Sequence, residues 1–434
     1  GAEGHLYTGT VTNETGAQRG IHPLLVLAED TKVDPNLGAI KAYQVYPTHV
    51  GLAEGWARTW GGRWSEYCAP VSMDSDGYVY VGGSYCGVVD LDPGPDVEEH
   101  GSTWESDAYL SKFDASGNLV WTRAWGGRDI HGASRQMIYE GTFIDADFVY
   151  AVGGFYLTTD FDPGPGKDKR TAIGESDAFL VKYTTAGEYL WALGWGGAEV
   201  DVANGIAVDE SGNLYATGEV NSLVDFDPGP EFEPYLSEGG TDAFLSKFTP
   251  SGELEWAVAW GGGSEWDWCH ASEIELDDAG NPYVYGYFTG QIDFDPGPEI
   301  EIHTGSSGGD SLFLSKFNPD GQFLWARTWA SRFPYTKASD LNGLELDGNG
   351  YVYVAGSFSG NVDFDPGPGV NEFDSGYSIS AFVSVFDLIG DYHSTIAWLT
   401  ERNCWLSACN LMVDSSQSIY VCGYFNGKVD FDPG

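Results

Sequence analysis

The sequence predicts an all-β protein, a β-propeller of four-stranded antiparallel blades, six or seven in number, with partial blades at both termini. An Asp-x-Asp-Pro-Gly element recurs six times, with first residues 70, 65, 68, 70 and 67 apart. Repetition at a fixed period indicates a repeat architecture. The 60 Gly, 16 Trp, 25 Tyr and 23 Phe suit short aromatic strands joined by tight turns. Each full period also contains four strand-like runs, the number in a propeller blade.

The repeat that starts at Trp191 contains these four runs in their clearest form. An aromatic run, 191–197, ends in two glycines, and a polar turn separates the apolar runs 205–209 and 214–220. Short apolar runs on either side of an Asp-x-x-Gly turn are typical of a β-hairpin. The fourth run, 242–248, alternates in part between apolar and polar residues. Four antiparallel strands per repeat follow from this pattern.

We expect one propeller over residues 1–434. Residues 1–62 are predicted to form a partial N-terminal blade, residues 63–403 five full blades, and residues 404–434 a partial C-terminal blade. In the second full repeat, residues 138–148 replace the compact hairpin turn with a longer insertion. The two ends carry similar strands, so they either share a blade or pair with neighbouring molecules into a head-to-tail polymer.

The charge of the chain excludes several classes of partner. It has 65 acidic and 20 basic residues and a net charge of −45. Nucleic acids and anionic membranes require clustered Lys or Arg, so neither is an expected partner. No run of 18 apolar residues occurs, so no membrane insertion is expected. Such a charge favours bound cations or a saline exterior.

The repeated acidic element predicts calcium sites. Residues i and i+2 of an extended strand face the same side, so Asp225 and Asp227 can converge beside the carbonyls of the following Pro-Gly turn. Carboxylates and carbonyls are the ligands that Ca²⁺ prefers. The alternative is that these carboxylates bind turn amides and solubilise a loop. The predicted calcium ligands are Asp90, Asp92, Asp160, Asp162, Asp225, Asp227, Asp293, Asp295, Asp363, Asp365, Asp430 and Asp432.

Two pairs of cysteines are candidates for cross-strand disulfides. Cys409 and Cys422 flank one turn almost symmetrically, and Cys68 and Cys86 flank another in a different register. Each disulfide would stabilise its blade by about 2–4 kcal/mol. The spacing suggests no partner for the two remaining cysteines.

One irregular loop, residues 263–270, carries aromatic residues that the repeat does not explain. Its Trp266 and Trp268 are candidate contacts for a glycan or a protein, whereas Trp191 and its equivalents are expected in the core.

Catalysis is not expected. The eight His residues do not occupy equivalent repeat positions, and neither His-Glu-x-x-His nor Gly-x-Ser-x-Gly occurs.

The string from Trp191 to Gly218, with its Trp195-Gly196-Gly197 and Asn204-Gly205 elements, resembles the SBBP (seven-bladed β-propeller) repeat family. Each period over residues 51–434 carries part of that string. The resemblance implies a secreted or cell-surface bacterial or archaeal propeller and no particular reaction. We therefore expect a non-enzymatic extracellular structural or adhesive protein, stabilised by Ca²⁺, with a filament or surface layer as one form of that role. The alternatives are a glycan- or protein-binding propeller and, third, an enzyme with its site in non-repeated loops.

Overall fold

The fold was analysed on a computed structural model, which describes residues 58–63, 66–126, 136–144, 147–306, 309–330, 343–401, 404–414, 417–426, 429 and 431. Residues 1–57 of the predicted N-terminal blade, and the predicted ligands Asp430 and Asp432, lie outside these residues. The described part is all-β, as predicted, and it includes no helix with the length and apolarity needed to cross a bilayer. The chain divides into two compact units, one with residues 54–259 and the other with residues 260–434.

The strands of the first unit form three antiparallel groups of four, β2-β3-β4-β5, β6-β7-β10-β11 and β12-β13-β14-β15, with the bounds given below. The short strand β1 also pairs with β3, and pairing between β11 and β13 joins the second and third groups into one eight-stranded sheet. Within each group of four the strands follow chain order, as predicted for a blade. A small hairpin, β8-β9, accompanies the second sheet. The strands are β1 (Gly61–Gly62), β2 (Glu66–Met73), β3 (Val79–Asp90), β4 (Glu99–Phe113), β5 (Leu119–Trp125), β6 (Gln136–Ile144), β7 (Phe148–Phe155), β8 (Thr158–Asp160), β9 (Lys169–Thr171), β10 (Asp177–Thr184), β11 (Tyr189–Gly197), β12 (Val202–Val208), β13 (Leu214–Asp225), β14 (Pro234–Phe248) and β15 (Leu254–Trp260).

The second unit contains two further four-stranded sheets, β16-β17-β20-β21 and β22-β23-β26-β27, and a two-stranded sheet, β28-β29. The hairpins β18-β19 and β24-β25 repeat the position of β8-β9. The strands are β16 (Trp268–Leu276), β17 (Pro282–Thr289), β18 (Gln291–Asp293), β19 (Ile302–Thr304), β20 (Ser311–Phe317), β21 (Phe323–Ala330), β22 (Gly343–Leu346), β23 (Tyr351–Phe358), β24 (Asn361–Asp363), β25 (Glu372–Asp374), β26 (Ser380–Asp387), β27 (Tyr392–Trp398), β28 (Trp405–Val413) and β29 (Ile419–Asn426).

The hairpin turns form where the Asp-x-x-Gly pattern predicts them. Asp209 Oδ1 accepts hydrogen bonds from the amides of Ser211 and Asn213, both at 2.9 Å. Gly212 has a φ of +83°, a conformation that glycine adopts without steric cost. The second repeat differs from the prediction, because its extra residues form a bulge in β6 rather than a longer turn. The register of β6 against β7 shifts between residues 138 and 142, as a bulge does when it inserts residues into one strand.

The core lies between successive sheets of the same unit. The central strand β10 is buried over almost its whole length, so both of its faces pack against neighbours. Trp195 of β11 contacts Phe244 edge-to-face, with ring centroids 6.2 Å apart, and Phe248 at 5.3 Å. Aromatic edge-to-face pairs add about 0.5–1.5 kcal/mol beyond the area that they bury. The repeated aromatic residues thus join one sheet to the next.

Arginine side chains also join successive sheets within each unit, in an arrangement called here the arginine clamp. The arginine Nε donates to the carbonyl of a turn glycine in the next sheet, and that glycine has a positive φ of 75° to 81°. Arg123 is also stacked on Trp121, 5.3 Å from the ring centroid. The clamp pairs and their distances are Arg58–Gly117 (2.8 Å), Arg123–Gly187 (2.6 Å) and Arg327–Gly390 (2.8 Å).

Candidate functional site

The carboxylates of the Asp-x-Asp-Pro-Gly element bind the main chain of their own loop. Asp225 Oδ1 accepts from the amides of Asp227 at 3.2 Å and Glu233 at 2.9 Å. Asp227 accepts from Gly229 at 2.8 Å through Oδ1 and from Glu231 at 3.1 Å through Oδ2. Together the two side chains close the loop around the Pro-Gly turn.

The same bonds recur in every copy that the structure describes. The first Asp accepts an amide hydrogen from the residue eight positions later at 2.8–3.0 Å, and the second accepts from the glycine two positions later at 2.6–2.8 Å. This geometry favours the turn-forming alternative. Within the described ranges, no group of three or more His, Cys, Asp or Glu side chains could hold a metal ion. Binding of Ca²⁺ stays a prediction for the pairs Asp90–Asp92, Asp160–Asp162, Asp225–Asp227, Asp293–Asp295 and Asp363–Asp365.

A buried carboxylate that sequence reasoning missed anchors the loop between β11 and β12, directly after a Trp-Gly-Gly run. Asp201 is 0% exposed, and its two oxygens accept from the amides of Gly197 at 2.6 Å and Asn221 at 2.9 Å. Burial raises the pKa of Asp201 to about 7, and the nearby charge of Asp177 adds to the rise. Asp177 is itself buried beside Gly196, and burial raises its pKa to about 6.

Two other repeats use an acid after the Trp-Gly-Gly run in a similar way, and we call each of these residues an anchor acid. Glu66 accepts from the amide of Gly62 at 2.5 Å, and Asp267 accepts from the amide of Gln291 at 3.3 Å. The signal in the sequence is an acid four or five residues after the second glycine of Trp-Gly-Gly. That signal is weak in a chain with 65 acidic residues.

Trp266 and Trp268 lie on the surface, on what we call the tryptophan loop, residues 263–268. Trp266 is 77% exposed and Trp268 is 45% exposed. Hydrogen bonds fix the main chain of the loop: Ser264 Oγ accepts from the amide of Trp266 at 3.3 Å, and Thr289 Oγ1 donates to the carbonyl of Trp266 at 3.1 Å. The indole Nε1 of Trp268 donates to the carbonyl of Glu265 at 3.3 Å, which fixes that ring. The loop therefore holds the Trp268 indole by a hydrogen bond of its own, and it holds Trp266 through its main chain.

The strand registers do not favour the two predicted disulfides, Cys409–Cys422 and Cys68–Cys86, which stay predictions. Cys422 is a thiol. A bulge at Cys409 shifts the register of β28, so that Asn410 lies opposite Cys422. In the first sheet, Cys68 lies opposite a residue three positions before Cys86. In neither pair are the two cysteines directly opposite each other in the strand register.

Comparisons with known proteins agree with the repeat architecture. Residues 193–223 match the family model of SBBP, described as a beta-propeller repeat; this stretch includes β12 and most of β13. Regulatory protein FlaEY of Caulobacter vibrioides is 24% identical over 270 residues, which are 59% of this chain and 26% of that protein. An uncharacterized WD repeat-containing protein of Acanthamoeba polyphaga mimivirus is 28% identical over 176 residues, 37% of this chain and 12% of that protein. The chain thus spans about a quarter or less of the length of these relatives.

Two solved structures of proteins of unknown function were also found. One, from Dyadobacter fermentans, has a TM-score of 0.36 and 11% identity, and covers 76% of this chain and 94% of its own. The other, from Bacteroides caccae, has a TM-score of 0.26 and 10% identity, and covers 61% of this chain and 82% of its own. Together with the strand order and the family match, the sequence period identifies the chain as an all-β repeat protein that carries an SBBP beta-propeller repeat at residues 193–223.

Proposed function

We propose that this chain is a non-enzymatic, extracellular adhesive protein whose blades are a scaffold and whose tryptophan loop binds a glycan. The observation that carries the proposal is the exposure of Trp266 and Trp268 on a loop fixed by hydrogen bonds. One face of a pyranose ring presents aliphatic C–H groups, which pack well on the flat face of an indole. The hydroxyl groups at the ring edge then bond to nearby polar groups, as in other small-molecule sites.

The rigidity of the loop supports this role. Binding costs less when the contacting side chains are already ordered, because fewer rotamers are lost on association. The Trp268 indole is held by the carbonyl of Glu265, and the main chain of the loop is held by Ser264 and Thr289. A net charge of −45 also suits an exterior rich in cations, which screen the repulsion between acidic groups.

A glycan array with purified protein tests the proposal, followed by affinity measurements on the glycans that bind. We expect Trp266→Ala to weaken binding by about 30-fold, the effect of removing an aromatic contact worth about 2 kcal/mol. The matched control is Phe232→Ala, which removes another exposed aromatic side chain and should leave binding unchanged. Equal loss in both variants, or no glycan bound by the wild-type protein, would contradict the proposal.

Self-association through the terminal strands is a second proposal, motivated by the two-stranded sheet β28-β29. A strand edge can pair with a strand of another molecule, and a heterologous contact of this kind builds an open polymer. Light scattering after size exclusion, at rising protein concentration, tests it. We expect the mass to increase with concentration, and a constant monomer mass would exclude the polymer.

A further inference from the structure

The charges around the tryptophan loop restrict the chemistry of its ligand. From Trp260 to Asp293 the sequence has no lysine or arginine and seven Asp or Glu residues. One of them, Glu265, directly precedes Trp266 and is exposed to solvent. A ligand with carboxylate, sulfate or phosphate groups would meet repulsion here, with no cation in this stretch to offset it.

The hydrogen-bonding groups of the loop also disfavour an anionic ligand. The Glu265 carboxylate only accepts hydrogen bonds, so its partner on the ligand must be a donor such as a hydroxyl or an ammonium group. The Trp268 Nε1–H, a donor that an anionic ligand could use, is already bonded to the Glu265 carbonyl at 3.3 Å. An ammonium group on the ligand is attracted by a carboxylate such as that of Glu265 and also by the face of an exposed indole, whereas a neutral hydroxyl group lacks both attractions.

We infer that the tryptophan loop selects saccharides without acidic groups, and that amino sugars with a free ammonium group bind more tightly than neutral sugars of the same length. This inference rests on the proposed glycan-binding function and adds the class of glycan. The preference for the amino sugar comes from Glu265 and from cation–π attraction to Trp266. Each of these contributions is about 0.5–1 kcal/mol at an exposed site, which together corresponds to about 5- to 30-fold in affinity.

Three sets of short oligosaccharides of equal length test the inference by calorimetry: β-linked glucosamine, β-linked N-acetylglucosamine or glucose, and galacturonic acid. We expect affinity to fall in that order, with no measurable binding of galacturonic acid. Glu265→Gln should reduce the preference for glucosamine over the neutral sugars by about 3- to 5-fold and leave neutral binding unchanged. The matched control is Glu210→Gln, an exposed acid on the turn between β12 and β13, which should change neither affinity.

The outcomes separate the inference from the function on which it rests. Binding of galacturonic acid that is lost in Trp266→Ala would overturn the inference and leave the glycan-binding function standing. Glucosamine binding that survives in Trp266→Ala would be bulk attraction to an acidic protein and would also overturn the inference. If none of the three sets binds, the glycan-binding function itself fails. The expected order, with its dependence on both Trp266 and Glu265, supports the inference.

Discussion

Substituting the buried anchor acid Asp201 should change how the stability of this protein depends on pH. In the folded chain Asp201 is fully buried and has a pKa of about 7, against a usual value of 3.8. The folded state therefore holds more protons than the unfolded state between those two pH values. Stability falls with rising pH wherever this is so. The contribution of Asp201 is thus full below about pH 4 and is lost as the pH rises through about 7.

The size of this loss follows from the difference between the two pKa values. One pKa unit corresponds to about 1.4 kcal/mol, so the change from 3.8 to about 7 gives a loss of about 4 kcal/mol. Asparagine at position 201 cannot titrate. Its amide NH₂ would, however, face the amide of Gly197 or Asn221, where the carboxylate accepted a hydrogen bond. Such a mismatch lowers stability by about 1–3 kcal/mol at every pH.

Urea unfolding from pH 4.5 to pH 8, followed by tryptophan fluorescence, measures both effects. We expect Asp201→Asn to be less stable than wild type at the acidic end, and the difference to close or reverse at the alkaline end. Glu345, whose pKa burial raises to about 7, titrates in both proteins and cancels in the comparison. Asp209→Asn, which changes an acid in an open hairpin turn, is the control. Parallel curves for wild type and Asp201→Asn would refute the reasoning.

Three further predictions concern the scaffold. Arg123→Ala should lower the free energy of unfolding by about 2 kcal/mol, because it removes a charged donor from the Gly187 carbonyl; a melting temperature equal to wild type would contradict this. Gly187→Ala should also destabilise, since Gly187 has a φ of +81° and a Cβ there would lie 2.9 Å from Arg123 Nη2, and thermal melts beside Ser211→Ala as a control measure the effect. Since Asp225 and Asp227 already accept amide hydrogens, excess Ca²⁺ and EGTA should give the same melting temperature. A stabilisation that grows with calcium concentration by mass action would instead establish the calcium sites.

The fold was predictable because its signals are local and repeated. The Asp209 turn and the aromatic runs are each recognisable within a few residues, and they recur along the chain, although the second repeat lacks the compact turn. The role of Asp201 was not predictable in the same way, because its partners Gly197 and Asn221 come together only when β11, β12 and β13 pair. The register at Cys409 was not predictable for a related reason. A bulge in β28 places Asn410, and not Cys409, opposite Cys422.

The candidate site was predictable only as an exception to the pattern. The repeat pattern does not assign Trp266 and Trp268 to the core. Their exposure to solvent agrees with the prediction that they are contacts for a ligand. The acidic element had two interpretations that the sequence could not separate, since one carboxylate can serve either a cation or a turn amide. The bonds of Asp225 to two amides of its own loop favour the second interpretation.

The arginine clamp has a consequence for how such a protein can change over time. Each arginine donates to a main-chain carbonyl of a glycine, so this hydrogen bond does not depend on the identity of a side chain in the neighbouring sheet. A duplicated or exchanged repeat can therefore form the same hydrogen bond with its neighbour, provided that it keeps the arginine and the turn glycine. The sequences of the surface loops can then differ from blade to blade, as that of the tryptophan loop does, without any change in the contacts that hold the blades together.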